Sequence, residues 1–181
     1  VDPDLLSRAI HQSGVAVARC GARRLVLSNS HGGNRQALDA AGLRLREEQQ
    51  LLVVKVNYFD LPCPDDVKLP DSEWRHGLHG GTVETAMMLH LRPDLVRLKH
   101  AEDFRPGLPA IEDDYKHLRI IGNFNLDWQG QNLHPLGVAG NIADATAQVR
   151  KSLVVHALSP FAVLIEEVSR YSLSNIKSRN T

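Results

Sequence analysis

The sequence predicts an α/β fold with a mainly parallel sheet. Three observations favour this class: short apolar runs alternate with helical patterns, one of those runs is continuously apolar, and glycine pairs stand between run and helix. Alternating strands and helices are typical of α/β domains, and continuously apolar strands are typical of parallel sheets covered on both faces. The 181 residues suffice for one substantial core, so we expect a single domain over 1–181.

The first half of the chain alternates between helix and strand. Asp2 is a suitable N-cap and Pro3 a suitable first residue for a helix that should end near Cys20, before Gly21. The elements that follow are a strand, a helix with an apolar side that includes Leu43, and a second, buried strand, predicted over 24–29, 34–49 and 51–56.

The second half is less regular. Residues 59–78 are rich in proline and acidic side chains, and because they lead into His79 we expect a lid-like loop there. A helix should begin at Gly80 or Gly81 and end near Leu91, since Pro93 prevents its extension. The remaining elements are a third strand, a long helix that starts at Asp144, kinks at Pro160 and buries Ile165, and a frayed tail, predicted over 118–122, 144–171 and 172–181.

Three strands are few for an α/β domain. With so few helices, both faces of a three-stranded parallel sheet cannot be well covered. We therefore expect sheet partners to be missing from this chain, which opens with Val1 and not with methionine. A longer parent polypeptide or a processed product would account for both observations.

Composition argues against several classes of partner. A formal net charge of zero disfavours a broad nucleic-acid surface, and no run approaches the length expected of a membrane span. The two cysteines, Cys20 and Cys63, offer no metal-ligand spacing and no disulfide framework. Unpaired thiols fit a reducing compartment, so we expect a cytoplasmic protein with no membrane or nucleic-acid partner.

Two histidine-glycine-glycine corners stand out. The first places His31, Gly32 and Gly33 between the predicted strand and helix, and the second places His79, Gly80 and Gly81 directly before another helix. Glycines permit positive φ and close approach of the backbone to a ligand, and helix N-termini favour negative charge. Either corner alone reads equally as a tight turn with a polar tip, but two in one small chain indicate a shared site.

Together the two corners resemble the creatininase (creatinine amidohydrolase) family. Its members carry an Asn-Gly-His-Gly-Gly-Asn type loop and a downstream His-(Ala/Gly)-Gly-x-x-Glu-Thr-Ser type helix start. The downstream block here runs from His79 through Glu84 and Thr85 to Pro93-Asp94-Leu95-Val96, and Pro135 to Asn141 is similar to a further family segment. The resemblance covers roughly residues 2–171.

The resemblance implies a three-layer α/β/α fold, incomplete in this chain, and a metal-dependent amidohydrolase. By position, His31 matches a ligand of a divalent metal, Zn or Mn with Fe as a further option. His79 matches the general acid/base that protonates the leaving nitrogen. Glu84 is open to three interpretations: a metal ligand, a carboxylate that orients a ligand histidine, or a favourable charge at a helix N-terminus. The backbone at Gly32, Gly33, Gly80 and Gly81 would hold the substrate or its oxyanion.

The chain departs from creatininases proper at several positions. Gly33 replaces a metal-binding glutamate, Ser30 a glycine, Arg75 a tryptophan and Asn141 an aspartate. The family's upstream metal-ligand segment has no counterpart here. Trp74, beside Arg75, is a candidate for stacking on a planar substrate, although anchoring of its own loop is the commoner role of such a residue.

Three functions remain open from the sequence. The first is hydrolysis of a non-peptide C–N bond in a small cyclic amide, such as a creatinine-like lactam, or in a formamide, by a homo-oligomer that is often a hexamer in the family. The second is an incomplete creatininase homologue that acts as a scaffold or assembly subunit. The third, resting on the corners alone, is a small α/β module that binds an anion.

Overall fold

The computed structural model describes residues 1–61, 63–107, 109–143 and 145–177, apart from the side chains of residues 109–110 and 147–148. The helices, in chain order, are α1 (Pro3–Arg19), α2 (Arg35–Gln49), α3 (Asp71–His76), α4 (Thr82–Leu91), α5 (Pro109–Asp114), α6 (Gly130–Leu133) and α7 (Ala147–Arg170). The strands are β1 (Arg24–Asn29), β2 (Leu52–Asn57), β3 (Asp103–Phe104) and β4 (Gly140–Asn141).

The chain divides into two compact units. The first consists of Val1–Pro62 with Ala157–Thr181, and the second of Cys63–His156. The expectation of a single domain stays a prediction.

The first unit contains a parallel pair of strands. β1 pairs with β2 in a continuous register from Arg24 opposite Leu52 to Asn29 opposite Asn57. The predicted strands are confirmed to within one residue at each end. The expectation of a fully buried second strand is wrong, because Leu51, just before β2, is buried while the residues of β2 are half-buried or exposed.

Helices α1 and α2 pack against each other through a small residue. The Asp2 carboxylate accepts a hydrogen bond from the Leu5 N–H at 2.8 Å, Pro3 opens α1, and Gly21 follows it at φ +91°, all as predicted. A Cβ on Gly14 would lie 2.7 Å from Leu45 Cδ2 and closer still to Cδ1, so this glycine permits the close approach of the two helices.

The buried side of α2 differs from the predicted one at Leu43. Its buried residues are Ala37, Leu38, Ala41, Gly42 and Leu45. Leu43 is 62% exposed, because residues two positions apart on a helix, such as Leu43 and Leu45, point in nearly opposite directions.

A buried histidine also joins the two helices. His11 is 4% exposed, and its Nε2 lies 2.8 Å from the Glu48 carboxylate on α2. This hydrogen bond is the main cause of a pKa of Glu48 below its ordinary value of 4.5, with Arg44 contributing in the same direction. The pair therefore ties α1 to α2 most strongly when Glu48 is ionised.

The second unit contains two apolar clusters. One joins α4 to the N-terminal part of α7 through Val67, Ala86, Leu89, Ala145, Val149 and Leu153. The other is formed by Ile120, Leu133 and Ala139, with half-buried Leu78, Ile111, Leu126 and Trp128 packed against it.

Two predicted segments, a strand and a loop, differ from the structure. The predicted third strand over 118–122 is wrong: Arg119 forms only an isolated bridge with Asn125, and Gly122 at φ +140° turns the chain back on itself. Apolar Leu118 and Ile120 suggest a strand, but the Arg119 guanidinium binds the nearby carbonyls of Tyr115, Lys116 and Leu118 and stabilises a local turn instead. The predicted loop 59–78 includes the short helix α3, and its lid role stays a prediction.

Helix α7 contains a long apolar stretch. Residues Val149–Arg170 are long and apolar enough, by length and composition alone, to cross a membrane. The expectation that no run reaches this length is therefore wrong. Val149, Leu153 and Val168 are buried as predicted, whereas Ile165, expected in the core, is 43% exposed. The absence of a membrane partner stays a prediction.

The predicted start of the long helix and part of the predicted tail lie outside the described residues. Asp144, the expected start of this helix, and residues 178–181 of the expected frayed tail belong to that part of the chain. Within the described tail, Leu173–Asn175 forms one turn of 3-10 helix, and the kink expected at Pro160 stays a prediction.

Replacing Glu48 by glutamine should change the acid sensitivity of the protein. A lowered folded-state pKa adds stability above the unfolded value of 4.5, and that stability is lost as the pH falls through the folded-state pKa. We expect Glu48→Gln to lower the urea midpoint of unfolding at neutral pH, with little further difference at about pH 3. Glu167→Gln, at an exposed glutamate of the same unit, is the control. Equal acid sensitivity of wild type and Glu48→Gln would contradict the role given to this pair.

Candidate functional site

The first corner begins where β1 and β2 end side by side. The Asn29 side chain, 3% exposed, donates from Nδ2 to Asn57 Oδ1 at 2.8 Å, and its Oδ1 accepts from the His31 N–H at 3.2 Å. One buried amide thus links both strand ends and orients the backbone of His31. The His31 side chain is exposed at the carboxyl edge of the strands, as predicted.

The glycines of this corner act differently from the prediction. Gly32–Asn34 form one turn of 3-10 helix before α2, and neither Gly32 nor Gly33 has a positive φ. A Cβ on Gly33 would lie 3.0 Å from His31 Nε2, so the absent side chain makes room for the imidazole. The freedom to adopt positive φ is therefore not used at these glycines, and close approach of their backbone to a ligand stays a prediction.

Polar groups next to this corner are already engaged with one another. Asn57 Nδ2 donates to the Asp60 carboxylate at 2.8 Å, and Asp60 also forms an ion pair with Arg35 at the start of α2. The Arg35 guanidinium lies 4.8 Å from the Phe59 ring centre. Carboxylate and amide oxygens therefore surround the strand ends, but hydrogen bonds and an ion pair already use them.

These donors do not by themselves fit a complete metal site. A catalytic zinc is usually held by three protein ligands. Within the described ranges, no group of three or more histidine, cysteine, aspartate or glutamate side chains is placed to hold a metal ion. His31 is thus at most one ligand of a set that these residues do not complete.

The second corner is fixed by pairing with a distant segment. The His79 N–H donates to the Ala139 carbonyl at 3.2 Å, and the Ala139 N–H donates back to the His79 carbonyl at 2.7 Å. Gly80 has φ +67°, a conformation that favours glycine. The His79 side chain is exposed at this corner, and α4 begins three residues later.

Glu84 stabilises the turn that follows His79. Its carboxylate accepts a hydrogen bond from the Gly80 N–H at 2.6 Å, and the Thr85 hydroxyl donates to the Gly80 carbonyl at 3.1 Å. Of the three interpretations of Glu84, this geometry supports the favourable charge at the first turn of a helix. Because the Gly80 N–H is used in this way, only Gly81 of this pair remains a candidate donor to an oxyanion.

Besides Glu84, a further acidic residue, which the sequence analysis did not single out, lies beneath this corner. Glu73 of α3 is 6% exposed, and its two carboxylate oxygens accept hydrogen bonds from the N–H groups of Thr82 at 2.7 Å and Asn141 at 2.8 Å. The sequence indicated only that Glu73 is one of the acidic residues of the predicted lid-like loop 59–78. Its partners are up to 68 residues away in sequence, so no local pattern signals them.

The remaining candidates take less defined positions. Trp74 lies on α3 with 37% of its surface exposed, which is compatible with both stacking and anchoring. Partial burial raises the pKa of the Cys63 thiol, which argues against a thiolate nucleophile there. His31 and His79 belong to different compact units, and their convergence on one ion stays a prediction.

Known proteins resemble this chain in sequence. A creatinine amidohydrolase from Pseudomonas putida is 38% identical over 101 residues, which cover 50% of this chain and 39% of that protein. The chain thus spans about two fifths of the length of this curated relative.

Solved creatininase structures share its fold. A putative creatinine amidohydrolase from Bacteroides fragilis superposes with a TM-score of 0.73 at 21% identity, covering 92% of this chain and 62% of that one. A mutant creatininase of the Zn-Zn type and a creatininase with Mn give TM-scores of 0.67 and 0.69 at 27% and 26% identity. Each covers 92% of this chain, which in turn covers 64% and 65% of theirs. The α/β fold class is thereby confirmed.

The family itself follows from the extent of the sequence match. The family model described as creatininase, creatinine amidohydrolase, matches residues 1–165. This range includes β1, β2 and both histidine corners, so it contains every candidate site residue. The chain therefore belongs to the creatininase family.

Proposed function

We propose that this chain supplies the proton-transfer corner of an amidohydrolase that cleaves the C–N bond of a small cyclic amide or a formamide. The observation that carries the proposal is the rigid, exposed His79 corner in a chain that belongs to the creatininase family. The named relatives are creatinine amidohydrolases, so a lactam related to creatinine is the first substrate class to test.

His79 has the chemistry that amide cleavage requires. An amide nitrogen is a poor leaving group until it is protonated, and imidazole exchanges a proton near neutral pH. Backbone pairing with Ala139 on one side and the Glu84-stabilised turn on the other hold the residue in place. The exposed ring of His79 is therefore suited to deliver a proton repeatedly to one point above the corner.

A divalent metal, Zn or Mn, is the cofactor we propose, with His31 as one ligand. Two of the solved relatives are described with these metals. When bound, such an ion would polarise the amide carbonyl as a Lewis acid. Because the described residues do not complete a ligand set, the other ligands would come from elsewhere in the assembled protein.

The alternative is a scaffold subunit that lacks catalysis. Two observations favour it: the described residues offer no trio of metal donors, and Glu84 is engaged with Gly80 in a structural turn. The two proposals make opposite predictions for amide turnover and for specific metal binding.

Removing the His79 imidazole should abolish most amide turnover. General acid/base catalysis contributes about 10²–10⁴-fold, so we expect His79→Ala to lower kcat for creatinine or a formamide by that factor. His90→Ala, at an exposed histidine in the last turn of α4, should keep wild-type turnover. Unchanged turnover in His79→Ala would contradict the catalytic role, and a wild type without turnover on any small amide would favour the scaffold.

Removing the His31 imidazole should weaken metal binding without unfolding the protein. We expect His31→Ala to weaken Zn²⁺ or Mn²⁺ binding about tenfold or more, measured by isothermal titration calorimetry on the folded chain. His90→Ala again serves as the control. Equal affinity of both variants would indicate unspecific binding by surface histidines and would contradict the ligand role of His31.

A further inference from the structure

Glu73 lies where three segments that hold the second corner meet. Its backbone carbonyl accepts from the Gly77 N–H at 2.8 Å, and its carboxylate accepts from the N–H groups of Thr82 and Asn141. Gly77 stands two residues before His79 and Thr82 three residues after it. Asn141 stands two residues beyond Ala139, the residue paired with His79. Residue 73 thus contacts both flanks of the histidine and the segment opposite it: one flank through its backbone carbonyl, and the other flank and the opposite segment through its carboxylate.

Three glycines enclose this carboxylate. A Cβ on Gly77, Gly81 or Gly140 would approach Glu73 Oε1 more closely than van der Waals contact allows, and for Gly140 the distance would be 2.8 Å. The absent side chains therefore make room for the carboxylate beside its two donors. The three glycines and the acid form one packed unit, which we call the Glu73 junction.

The charge of Glu73 suits this position. Thr82 is fully buried and is the first residue of α4, where the backbone N–H groups have no partner within the helix. By accepting from the Thr82 N–H, the negative carboxylate lies at the positive end of the helix dipole. The Thr82 hydroxyl in turn donates to the Asn141 carbonyl, which closes the link between α4 and β4. Because both of its oxygens are used and 6% of its surface is exposed, Glu73 is not placed to touch a substrate.

We propose that Glu73 is the positioning residue that sets the direction of the His79 imidazole. The inference rests on the proposed function of His79. The Glu73 carboxylate acts by holding residues 82 and 141 at a fixed separation, so that the short segment between α3 and α4 has one conformation and the exposed ring one orientation.

The test replaces Glu73 by glutamine. Glutamine keeps the shape of the side chain, but its NH₂ group would face one of the two N–H donors and remove that hydrogen bond. Asp71→Asn, at an exposed carboxylate of the same helix α3, is the matched control. NMR hydrogen exchange and the His79 ring resonances are measured on the folded chain, with Leu153 of the apolar cluster reporting on global stability.

We expect Glu73→Gln to lower amide protection at Thr82 or Asn141 about tenfold, as loss of one net hydrogen bond implies, with Leu153 unchanged. The His79 ring resonances should shift, and the kcat of amide turnover should fall about tenfold at constant KM, the pattern of a misplaced catalytic group. Asp71→Asn should alter none of these. Unchanged His79 resonances alongside lost protection would overturn the proposal and leave Glu73 a purely structural role.

A second variant covers the case in which Glu73→Gln does not fold. Gly81→Ala keeps the charge but adds a methyl group that pushes the carboxylate away from the Thr82 N–H. We expect the same loss of protection at Thr82 and the same shift of the His79 ring, and wild-type spectra would overturn the proposal. If wild type shows no amide turnover, the proposed function fails, whereas the NMR measurements still decide the role of Glu73.

Discussion

A buried carboxylate is the constraint on which the second unit depends. Removing a charge from water costs several kcal/mol unless hydrogen bonds compensate it. Glu73 is compensated by two backbone N–H groups, each worth about 1.5–3 kcal/mol to a charged acceptor, and by the N-terminus of α4. The same bonds join α3, α4 and β4 at one point. Stability and the geometry of the candidate site therefore have a common origin.

In the first unit, a buried neutral side chain holds the backbone of the histidine corner. Parallel strands end at the same edge of a sheet, and there the Asn29 amide bridges both strand ends and holds the backbone of His31. In each unit, a buried polar side chain fixes the main chain while the histidine above it stays exposed. Rigid support with an accessible reactive ring is the arrangement that proton transfer and metal ligation both need.

The sequence was informative where local pattern and local structure coincide. Residues 24–29 form the predicted strand because an apolar run is bounded there by polar ends, and Asp2 and Pro3 start α1 as helix-capping rules require. The candidate histidines were found because each precedes a glycine pair. Failures have long-range causes: an arginine binding nearby carbonyls turned the run 118–122 away from a sheet, and Glu73 took partners distant in sequence. The exposure of Ile165 on α7 is likewise not shown by the helical period alone.

The tight enclosure of the Glu73 junction has an evolutionary consequence. A methyl group on any of its glycines collides with the acid, and loss of the acid leaves the Thr82 and Asn141 N–H groups without this acceptor. Single substitutions are thus each harmful, while a paired exchange that fills the vacated space with apolar atoms can be tolerated. Substitutions at these four positions should show strong epistasis, so the lineage can leave this arrangement only by correlated replacement.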